Sequence, residues 1–397
     1  MSFVTLNGYD VEHASSLLVY DNLFPEIQHI NGKGVTDTYT KTKDVESVTL
    51  IDVMRVLPYA PRFRQLGATN NGTWHNQQNE GGFRNAPQSV HYTIPVDLIY
   101  DEGVTITSAQ DYANPVNLKK IIMAQLVKTA GMSINIITFA KQIEAFFRDN
   151  FADIENPTAD ELANAVFSYD PAVAANADGS APDAFIAANS SLTDGCLEIG
   201  AMHIPMEERQ AFITPKFDRL MKRQYQQNAS DVSTRILANG FINPFTDSEG
   251  KRINSATGVA GMYDGVDMFL INSVTRTFVE VALGVPKNVV ENAEVLTLLH
   301  QIDAFIVYGA GTVRGIVGPS IEANPNPYFG GVYILPKMKV GVEVLNGKTI
   351  KMIINGEWTT ANITSIGQKI KFTPIDGKVV TGKEVFAEGI FNDGTSN

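Results

Sequence analysis

The amino-acid sequence predicts a protein of the α+β class, and three features carry this prediction. Residues 114–151 repeat apolar side chains at helical spacing, which indicates a long helical stretch. Residues 59–95 combine strand-like flanks with a centre rich in Gly, Asn and Gln, which is typical of a long β-hairpin. The second half holds short helical stretches, strand-like runs and glycine-rich turns.

The long helical stretch begins with Asn114 and Pro115, a good N-cap followed by a residue that suits the first helical position. Its apolar positions are Leu118, Ile121, Ile122, Leu126, Ile136, Ala140, Ile143, Phe147 and Phe151. At roughly 1.5 Å per residue, a single helix would extend about 50 Å, which suits a strut across a flat molecule. Gly131 lies in the middle, so the stretch is either one helix with a compliant point or two ordinary helices separated by a break.

The predicted hairpin differs in charge from the rest of the chain. It carries Arg62, Arg64 and Arg84 against Glu80, whereas the whole chain has a formal net charge of −12. A basic projection on an acidic protein favours assembly of identical copies, because the projection of one copy can lie on the body of the next. Arg62, Arg64, Trp74 and Arg84 are therefore the candidate subunit-contact residues. The alternative interpretation is a disordered surface loop.

The composition argues against several classes of function. With 397 residues, 44% hydrophobic and 19% charged, the chain is long enough for two or three domains with sizeable cores. Its acidic balance argues against sequence-specific nucleic-acid binding, which needs a basic surface. Cys196 is the single cysteine, which excludes an internal disulfide and indicates a small packing residue. Neither an export signal nor an apolar run of the ~20 residues that cross a membrane is visible, so synthesis in the cytoplasm is expected.

The sequence shows no catalytic constellation, and we expect no catalytic residue, no cofactor and no metal. Residues 309–315 are glycine-rich but lack the third glycine at dinucleotide-binding spacing and the Gly-Lys-Ser/Thr of a P-loop, so a turn after residues 305–308 is expected. No serine lies in a Gly-x-Ser-x-Gly elbow. The histidines are far apart and form no metal-binding pattern. They are His13, His29, His75, His91, His203 and His300.

The remaining elements are assigned from local signals. We expect a helix over residues 48–57 that Pro58 ends, and a series of short β-segments from Trp358 onward. The other expected elements are a strand and turn at residues 96–107, a helix starting near Thr158 or Asp160, helices at residues 183–192 and 216–225, a strand at residues 266–270, and strands at residues 340–345 and 349–354.

Two short motifs give this order of elements a resemblance to a known family. After a predicted helix come Ile204-Pro205, then Arg209, then a strand that ends at Pro215. A glycine-rich turn then leads into a strand within residues 258–272. Together with the hairpin and the long helix, these features resemble the major capsid proteins of tailed bacteriophages with the HK97-type fold. The resemblance covers most of the chain and depends on the order of the motifs, because each motif is short.

The resemblance implies an HK97-like α+β architecture in which the long helix is the spine helix. Because glycine inside a helix makes a compliant point, we expect Gly131 to be the hinge of that helix. The implied parts are an N-terminal arm (residues 1–60), an extended hairpin loop (61–95), a peripheral domain with the spine helix (96–155), an axial domain (156–327), and a return to the peripheral domain with a β-rich C-terminal extension (328–397).

The implied function is structural: hexamers and pentamers of the chain form an icosahedral or prolate shell around double-stranded DNA. The implied partners are other copies of the chain, a portal, a possible decoration protein, and a separate scaffolding protein, since no long charged helical region precedes the arm. Assembly would take place in the cytoplasm of a bacterial host, and the protein would end in the virion capsid. Two alternatives are an encapsulin-like shell that encloses cargo protein and a soluble oligomeric enzyme with a glycine-rich ligand loop.

Overall fold

The structure is a computed structural model of the 397-residue chain. It describes residues 29–30, 33–34, 41–44, 50–56, 89–100, 104–107, 118–170, 183–202, 204, 209–220, 242–243, 259–263, 266–271, 273–325 and 331–374. Within these residues the chain forms two large sheets, two small two-stranded sheets and one long helix.

The elements are numbered in chain order. The strands are β1 (His29–Ile30), β2 (Lys33–Gly34), β3 (Lys41–Asp44), β4 (Leu50–Val56), β5 (Ser89–Pro95), β6 (Leu98–Tyr100), β7 (Val104–Thr107), β8 (Val166–Tyr169), β9 (Arg209–Ile213), β10 (Ile242–Asn243), β11 (Val259–Tyr263), β12 (Val266–Leu270), β13 (Ile302–Tyr308), β14 (Thr312–Pro325), β15 (Gly331–Val344) and β16 (Lys351–Asn355). The α-helices are α1 (Leu118–Asn150), α2 (Ala159–Ala165), α3 (Asp183–Ala201), α4 (Ser273–Ala282), α5 (Ala293–Leu299) and α6 (Thr360–Lys369).

The two large sheets are joined between β13 and β14. The seven-stranded sheet has the order β10-β11-β12-β9-β13-β16-β8, and its central strand β9 runs parallel to β12 and antiparallel to β13. The five-stranded sheet is built on the long antiparallel pair of β14 and β15, with β3 beside β14 and with β6 and β7 both paired to β15. A 3-10 turn at Gly309–Gly311 connects the sheets, so the glycine-rich segment is the turn that the sequence predicts.

The long helical stretch is one continuous helix. α1 has 33 residues and passes through Gly131, which is buried, without a break. The alternative of two helices separated by a break is therefore wrong, and the described glycines with positive φ lie elsewhere, at Gly284 and Gly356. The predicted helix start at Asn114 and Pro115 lies outside the described residues. The role of Gly131 as a hinge stays a prediction.

An aromatic cluster joins α1 to the seven-stranded sheet. The ring of Phe139 meets those of Phe212 and Phe305 edge-on, at centroid distances of 4.6 and 5.9 Å. Further along the helix, Phe147 stacks on Trp358 at 6.3 Å. All five side chains are buried, and each such burial stabilises the fold by about 1.5–3 kcal/mol. Of the apolar positions predicted at helical spacing, five lie in the same core cluster as these rings: Ile136, Ala140, Ile143, Phe147 and Phe151. The side chains of the other four, Leu118, Ile121, Ile122 and Leu126, lie outside the described residues.

The opposite face of the same sheet carries α3, and Arg209 at the start of β9 binds the end of that helix. The guanidinium of Arg209 is buried and donates hydrogen bonds to the carbonyl oxygens of Cys196, 2.9 Å away, and of Ile204. A cation near the C-terminal end of a helix also matches the helix dipole. The arginine of the predicted motif thus ties α3 to β9. Cys196 is a buried packing residue in this cluster, as the sequence predicts.

The helix start predicted near Thr158 is confirmed. Thr158 is the N-cap of α2: its hydroxyl accepts a hydrogen bond from the N–H of Glu161 at 3.3 Å, and the carboxylate of Glu161 accepts one from the N–H of Thr158 at 3.0 Å. This reciprocal pair is a capping box. Hydrogen bonds from the N–H groups of Thr158 and Ala152 hold the pKa of Glu161 below its usual range.

The helix predicted over residues 48–57 is wrong, because residues 50–56 form the strand β4. Leu50 and Met54 are exposed while Ile51 between them is buried, which is the period-two alternation of a strand with one covered face. β4 pairs with β5 in antiparallel register. The good helix propensity of Leu and Met is overridden here by pairing with a strand that lies much later in the sequence.

The β-rich extension predicted from Trp358 onward is also wrong at its start, because α6 forms there. Thr359 caps α6 through a capping box with Asn362, and this local hydrogen bonding outweighs the strand propensity of the segment. Residues 370–373 then pass along the end of α4, where the N–H groups of Lys371 and Thr373 donate to backbone carbonyls. Residues 375–397 lie outside the described residues.

Most other predicted elements of the second half are confirmed. They are the helix at residues 183–192, which extends to Ala201, and the strands β12, β15 and β16. The predicted boundary after residue 327 falls between β14 and β15, which pair along most of their length. β16 lies beyond that boundary and yet joins the seven-stranded sheet, so the boundary does not separate the two large sheets.

Candidate functional site

The strands β4 and β5 form a two-stranded base that is seated on the five-stranded sheet. Ile51 and Ile94 are buried on its inner face and cluster with Val96 and Val313. Gly315 permits this contact, because a Cβ added to it would lie only 2.0 Å from Cδ1 of Ile51. The base is therefore held on the body of the molecule by apolar burial and by a close approach that only glycine allows.

The base defines where the predicted hairpin leaves the body. The strands pair from Leu50 opposite Pro95 to Val56 opposite Ser89, so the chain between them, residues 57–88, leaves and returns at the same end of the base. That segment lies outside the described residues. It contains the four predicted subunit-contact residues Arg62, Arg64, Trp74 and Arg84.

The outer face of the base is open. Leu50 and Met54 are 53% and 59% exposed, and the hydroxyl of Thr93 donates to the carboxylate of Asp52 between them at 3.1 Å. Two large apolar side chains this exposed on one face of a hairpin form a surface that another protein can cover. We call this face the outer strip; its exposed members are Leu50, Asp52, Met54, His91, Thr93 and Pro95.

The C-terminal end of α1 is bound to the turn between β15 and β16. The N–H of Gly347 donates to Oδ2 of Asp149 at 2.6 Å, and Nδ2 of Asn150 donates to the carbonyl of Gly347 at 2.9 Å. Nη1 of Arg148 donates to Oε1 of Glu343 on β15 at 2.9 Å. We call these contacts the helix clamp; its residues are Arg148, Asp149, Asn150, Glu343 and Gly347.

The charges of the helix clamp orient its groups more than they stabilise the fold. Arg148 is about half exposed, so solvent screens its ion pairs with Asp149 and Glu343. Hydrogen bonds to Asp149, and then to Glu343, outweigh burial and raise the pKa of Arg148, which keeps the guanidinium charged. Beside the clamp opens a cleft of about 650 Å³, which Tyr92 of the hairpin base also lines. The cleft therefore lies between the base and the end of α1.

A second cavity, of about 450 Å³, contains buried ionisable groups between α1, α4 and the seven-stranded sheet. The carboxylate of Asp303 accepts hydrogen bonds from the hydroxyls of Tyr169 at 2.5 Å and Thr214 at 2.9 Å. Burial and the bond to Asp303 raise the pKa of Tyr169, so that hydroxyl stays protonated. Nε2 of His300 lies 2.7 Å from Oε1 of Glu280. Each carboxylate is thus engaged by a neighbour, which is the arrangement of a structural network.

The part of the chain that the structure describes shows neither a metal centre nor a membrane-spanning helix. Among them, no group of three or more His, Cys, Asp or Glu is placed to hold a metal ion. In the same part of the chain, no helix combines the length and the hydrophobicity that a membrane crossing needs. The candidate sites in this part of the molecule are the outer strip and the cleft beside the helix clamp.

The outer strip and the helix clamp are absent from the candidate residues that the sequence predicts. For the outer strip, the expectation of a helix at residues 48–57 hides the alternation of Leu50, Asp52 and Met54. For the clamp, the local signal is Asn346-Gly347, a dipeptide typical of tight turns. Nothing in the local sequence indicates that Asn150 binds this turn, because the contact joins segments about 200 residues apart.

Comparisons with solved structures find phage capsid proteins among the chains similar to this one. The capsid of the cyanophage P-SCSP1u has a TM-score of 0.49 and 12% sequence identity, over 84% of this chain and 98% of that chain. The mature capsid of bacteriophage PhiM1 has a TM-score of 0.45 and 13% identity, over 82% and 87% of the two chains. The capsid of Ralstonia phage GP4 has a TM-score of 0.44 and 10% identity, over 82% and 88%.

All three of these neighbours are phage capsids, and each is at most 13% identical to this chain. No family model matches the sequence. No curated protein matches it either.

Replacing Gly347 with alanine should open the helix clamp. A Cβ on Gly347 would lie 2.1 Å from the carbonyl oxygen of Ala145 in α1, so the turn would have to move away from the helix. Overpacking of this kind costs about 1–3 kcal/mol of folding stability. The thermal unfolding midpoint of the purified chain, measured by circular dichroism, should therefore fall.

Gly200→Ala is the matched control for this substitution. Gly200 lies in the last turns of α3, and a Cβ there would lie 3.4 Å from the guanidinium of Arg209, an ordinary contact. Alanine is a better helix former than glycine, so stability should change by less than about 1 kcal/mol and in the favourable direction. If the unfolding midpoint fell equally in the two variants, the close approach of Gly347 to Ala145 would not be what limits the substitution.

Proposed function

We propose that this chain is the major capsid protein of a tailed bacteriophage, with the HK97-type fold, and that copies of it form the shell. The observation that carries the proposal is the hairpin base, which is seated on the body by its inner face and leaves the outer strip exposed. A projection held by buried contacts, with Leu50 and Met54 open on its other face, suits contact with a second copy of the chain.

The order of elements supports the proposal. The hairpin base is followed by β6 and β7, then by α1, then by the strand β9 with its arginine, and finally by the long pair of β14 and β15. The resemblance implies the same order of extended loop, spine helix, axial domain and return. We infer that α1 is the spine helix and that α3 with the seven-stranded sheet belongs to the axial domain.

Residues 57–88 extend the proposed contact beyond the base. Arg62, Arg64 and Arg84 are basic, whereas the chain as a whole carries a net charge of −12, so they fit the acidic surface of a second copy. Trp74 supplies a large aromatic side chain of the type that anchors protein interfaces. In this proposal the subunit contact combines the apolar outer strip of the base with the basic residues of the segment that follows it.

The proposed shell consists of hexamers and pentamers in an icosahedral or prolate arrangement that encloses double-stranded DNA. An acidic chain suits a container from which DNA has to leave, because an acidic wall does not retain the phosphate backbone. A scaffolding protein, a portal and a possible decoration protein are the further partners. Assembly takes place in the cytoplasm of the bacterial host, and the finished protein belongs to the virion capsid.

Negative-stain electron microscopy of the purified chain tests this proposal. Shells or hexameric capsomers are the expected result. Compact oligomers of a few subunits, with no capsomers over a range of concentrations, would instead favour the soluble enzyme. Closed particles isolated from cells with cargo protein and without DNA would favour an encapsulin-like compartment.

Replacing Leu50 and Met54 together with serine should prevent shell formation while the subunit stays folded. Both side chains are more than half exposed, so each substitution should change stability by no more than about 0.5 kcal/mol. Particle yield is measured by size-exclusion chromatography and microscopy. Ile51→Ser is the contrasting variant, because Ile51 is 3% exposed and its loss should unfold the subunit. A normal particle yield from the double variant would show that the outer strip is not part of the subunit contact.

Replacing Arg62 and Arg64 together with glutamate should weaken assembly, and the defect should depend on salt. Exposed charge pairs are screened over about 8 Å at physiological ionic strength, so the variant should differ most from the wild type at low salt. The matched control replaces both arginines with lysine, which keeps the charge and should keep assembly. Light scattering against salt concentration measures both variants. Identical curves for the glutamate variant and the wild type would contradict a charge contact.

Gly131→Ala tests the proposed hinge of the spine helix. Gly131 has helical backbone geometry in α1, where alanine stabilises a helix by up to about 1 kcal/mol. A stiffer helix should make assembly slower or the particles misshapen, while the unfolding midpoint of the subunit is kept or slightly raised. A marked fall in that midpoint would show that Gly131 is needed for close packing of the helix, and it would contradict the hinge.

A further inference from the structure

Asn346 and Gly347, in the turn between β15 and β16, form a chemically labile dipeptide. In such a pair the backbone nitrogen of the glycine can attack Cγ of the asparagine, because glycine has no side chain to hinder the approach. A bond forms between that nitrogen and Cγ, and the bond from Cγ to the side-chain nitrogen breaks. The side-chain nitrogen takes the proton of the glycine N–H and leaves as ammonia. Water then opens the cyclic imide at either carbonyl, which gives an aspartate or an isoaspartate.

The packing of the turn against α1 requires glycine at position 347. A Cβ there would lie 2.1 Å from the carbonyl oxygen of Ala145 and 2.9 Å from Oδ2 of Asp149. Every other residue type carries a Cβ, so only glycine lets the turn lie this close to the helix. The contact that fixes the end of α1 therefore also places a glycine directly after Asn346, in the type of dipeptide that deamidates most readily.

The groups that the reaction needs are held by hydrogen bonds. The N–H of Gly347, whose nitrogen would attack, donates to Oδ2 of Asp149 at 2.6 Å. The side-chain Oδ1 of Asn346 accepts a hydrogen bond from the N–H of Lys348 at 3.1 Å. The backbone at Asn346 is extended, with φ −154° and ψ 96°. The peptide plane therefore has to rotate, and its hydrogen bond to Asp149 has to break, before the nitrogen can reach Cγ.

Exclusion of water does not protect this dipeptide. Asn346 is half-buried and lines the cleft of about 650 Å³ beside the helix clamp, so water can enter and ammonia can leave. The carbonyl of Gly347 is held from the other side, since it accepts a hydrogen bond from Nδ2 of Asn150 at 2.9 Å. What opposes the reaction is therefore the fixed position of the peptide group between Asp149 and Asn150.

We propose that Asn346 is a deamidation site whose reaction the helix clamp suppresses. The reaction proceeds in molecules in which the clamp has opened, because local opening releases the nitrogen of Gly347. The product adds a carboxylate close to that of Asp149, and repulsion between like charges opposes closure of the clamp. Deamidation at Asn346 thus marks the molecules whose clamp has opened. This property belongs to the single chain and does not depend on the proposed shell.

Peptide mass spectrometry of the folded full-length chain, incubated at mildly alkaline pH, tests the proposal. Asn346 should deamidate many-fold more slowly in the protein than in a synthetic peptide of residues 342–352, because the peptide has no clamp. Equal rates in the protein and in the peptide would overturn the proposal. This comparison uses the unaltered chain, so it does not depend on the folding of any variant.

Asp149→Ala removes the acceptor of the Gly347 N–H and should speed deamidation at Asn346 several-fold. Asn355-Gly356 at the end of β16 is the internal reference, because the N–H of Gly356 donates to the carbonyl of Tyr169 at 2.9 Å, outside the clamp. Its rate should stay as in the wild type. An unchanged rate at Asn346 would overturn the proposal. Equal acceleration at both asparagines would also overturn it, since general unfolding and not the clamp would then control the reaction.

Asp149→Asn is the matched control. The side-chain carbonyl of asparagine still accepts a hydrogen bond from the Gly347 N–H, so deamidation at Asn346 should remain close to the wild-type rate. A rate as high as that of Asp149→Ala would show that the hydrogen bond to Gly347 is not the protecting contact, and it would overturn the proposal.

Discussion

The packing of α1 on the seven-stranded sheet is the contact on which the rest of the structure depends. Phe139 and Phe147 bury one side of the helix against aromatic partners from distant parts of the chain. The helix clamp then fixes the end of α1 to the turn between β15 and β16. Because β15 belongs to the five-stranded sheet and β16 to the seven-stranded sheet, this turn joins both sheets. One helix therefore sets the position of each large sheet relative to the other.

The hairpin base is positioned by that framework. Ile51 reaches Gly315 on β14, and Pro95 approaches Gly341 on β15, where a Cβ would lie 2.3 Å from its carbonyl oxygen. These contacts need glycines where the base approaches the sheet, and the long pair of β14 and β15 provides them. The outer strip is the other consequence of this seating, since a two-stranded base with one face buried leaves its second face to solvent or to a partner.

Different kinds of contact hold different parts of α1. Around Phe147 and Phe151 the helix is held by close-packed rings, which tolerate little displacement. Around Asn135 and Gln142 it rests on buried polar side chains, whose hydrogen bonds are directional and can be exchanged.

The sequence by itself determined the features that depend on neighbours along the chain. Helical periodicity predicted a helical stretch that includes α1, the residues near Thr158 predicted the start of α2, and the glycines near residue 310 predicted a turn. Only the tertiary structure decided that residues 50–56 are a strand and that Asn150 binds Gly347, because the partners come from far along the sequence. Local periodicity records which side of an element is apolar, but the hydrogen-bond partners of a polar group depend on what the fold brings next to it.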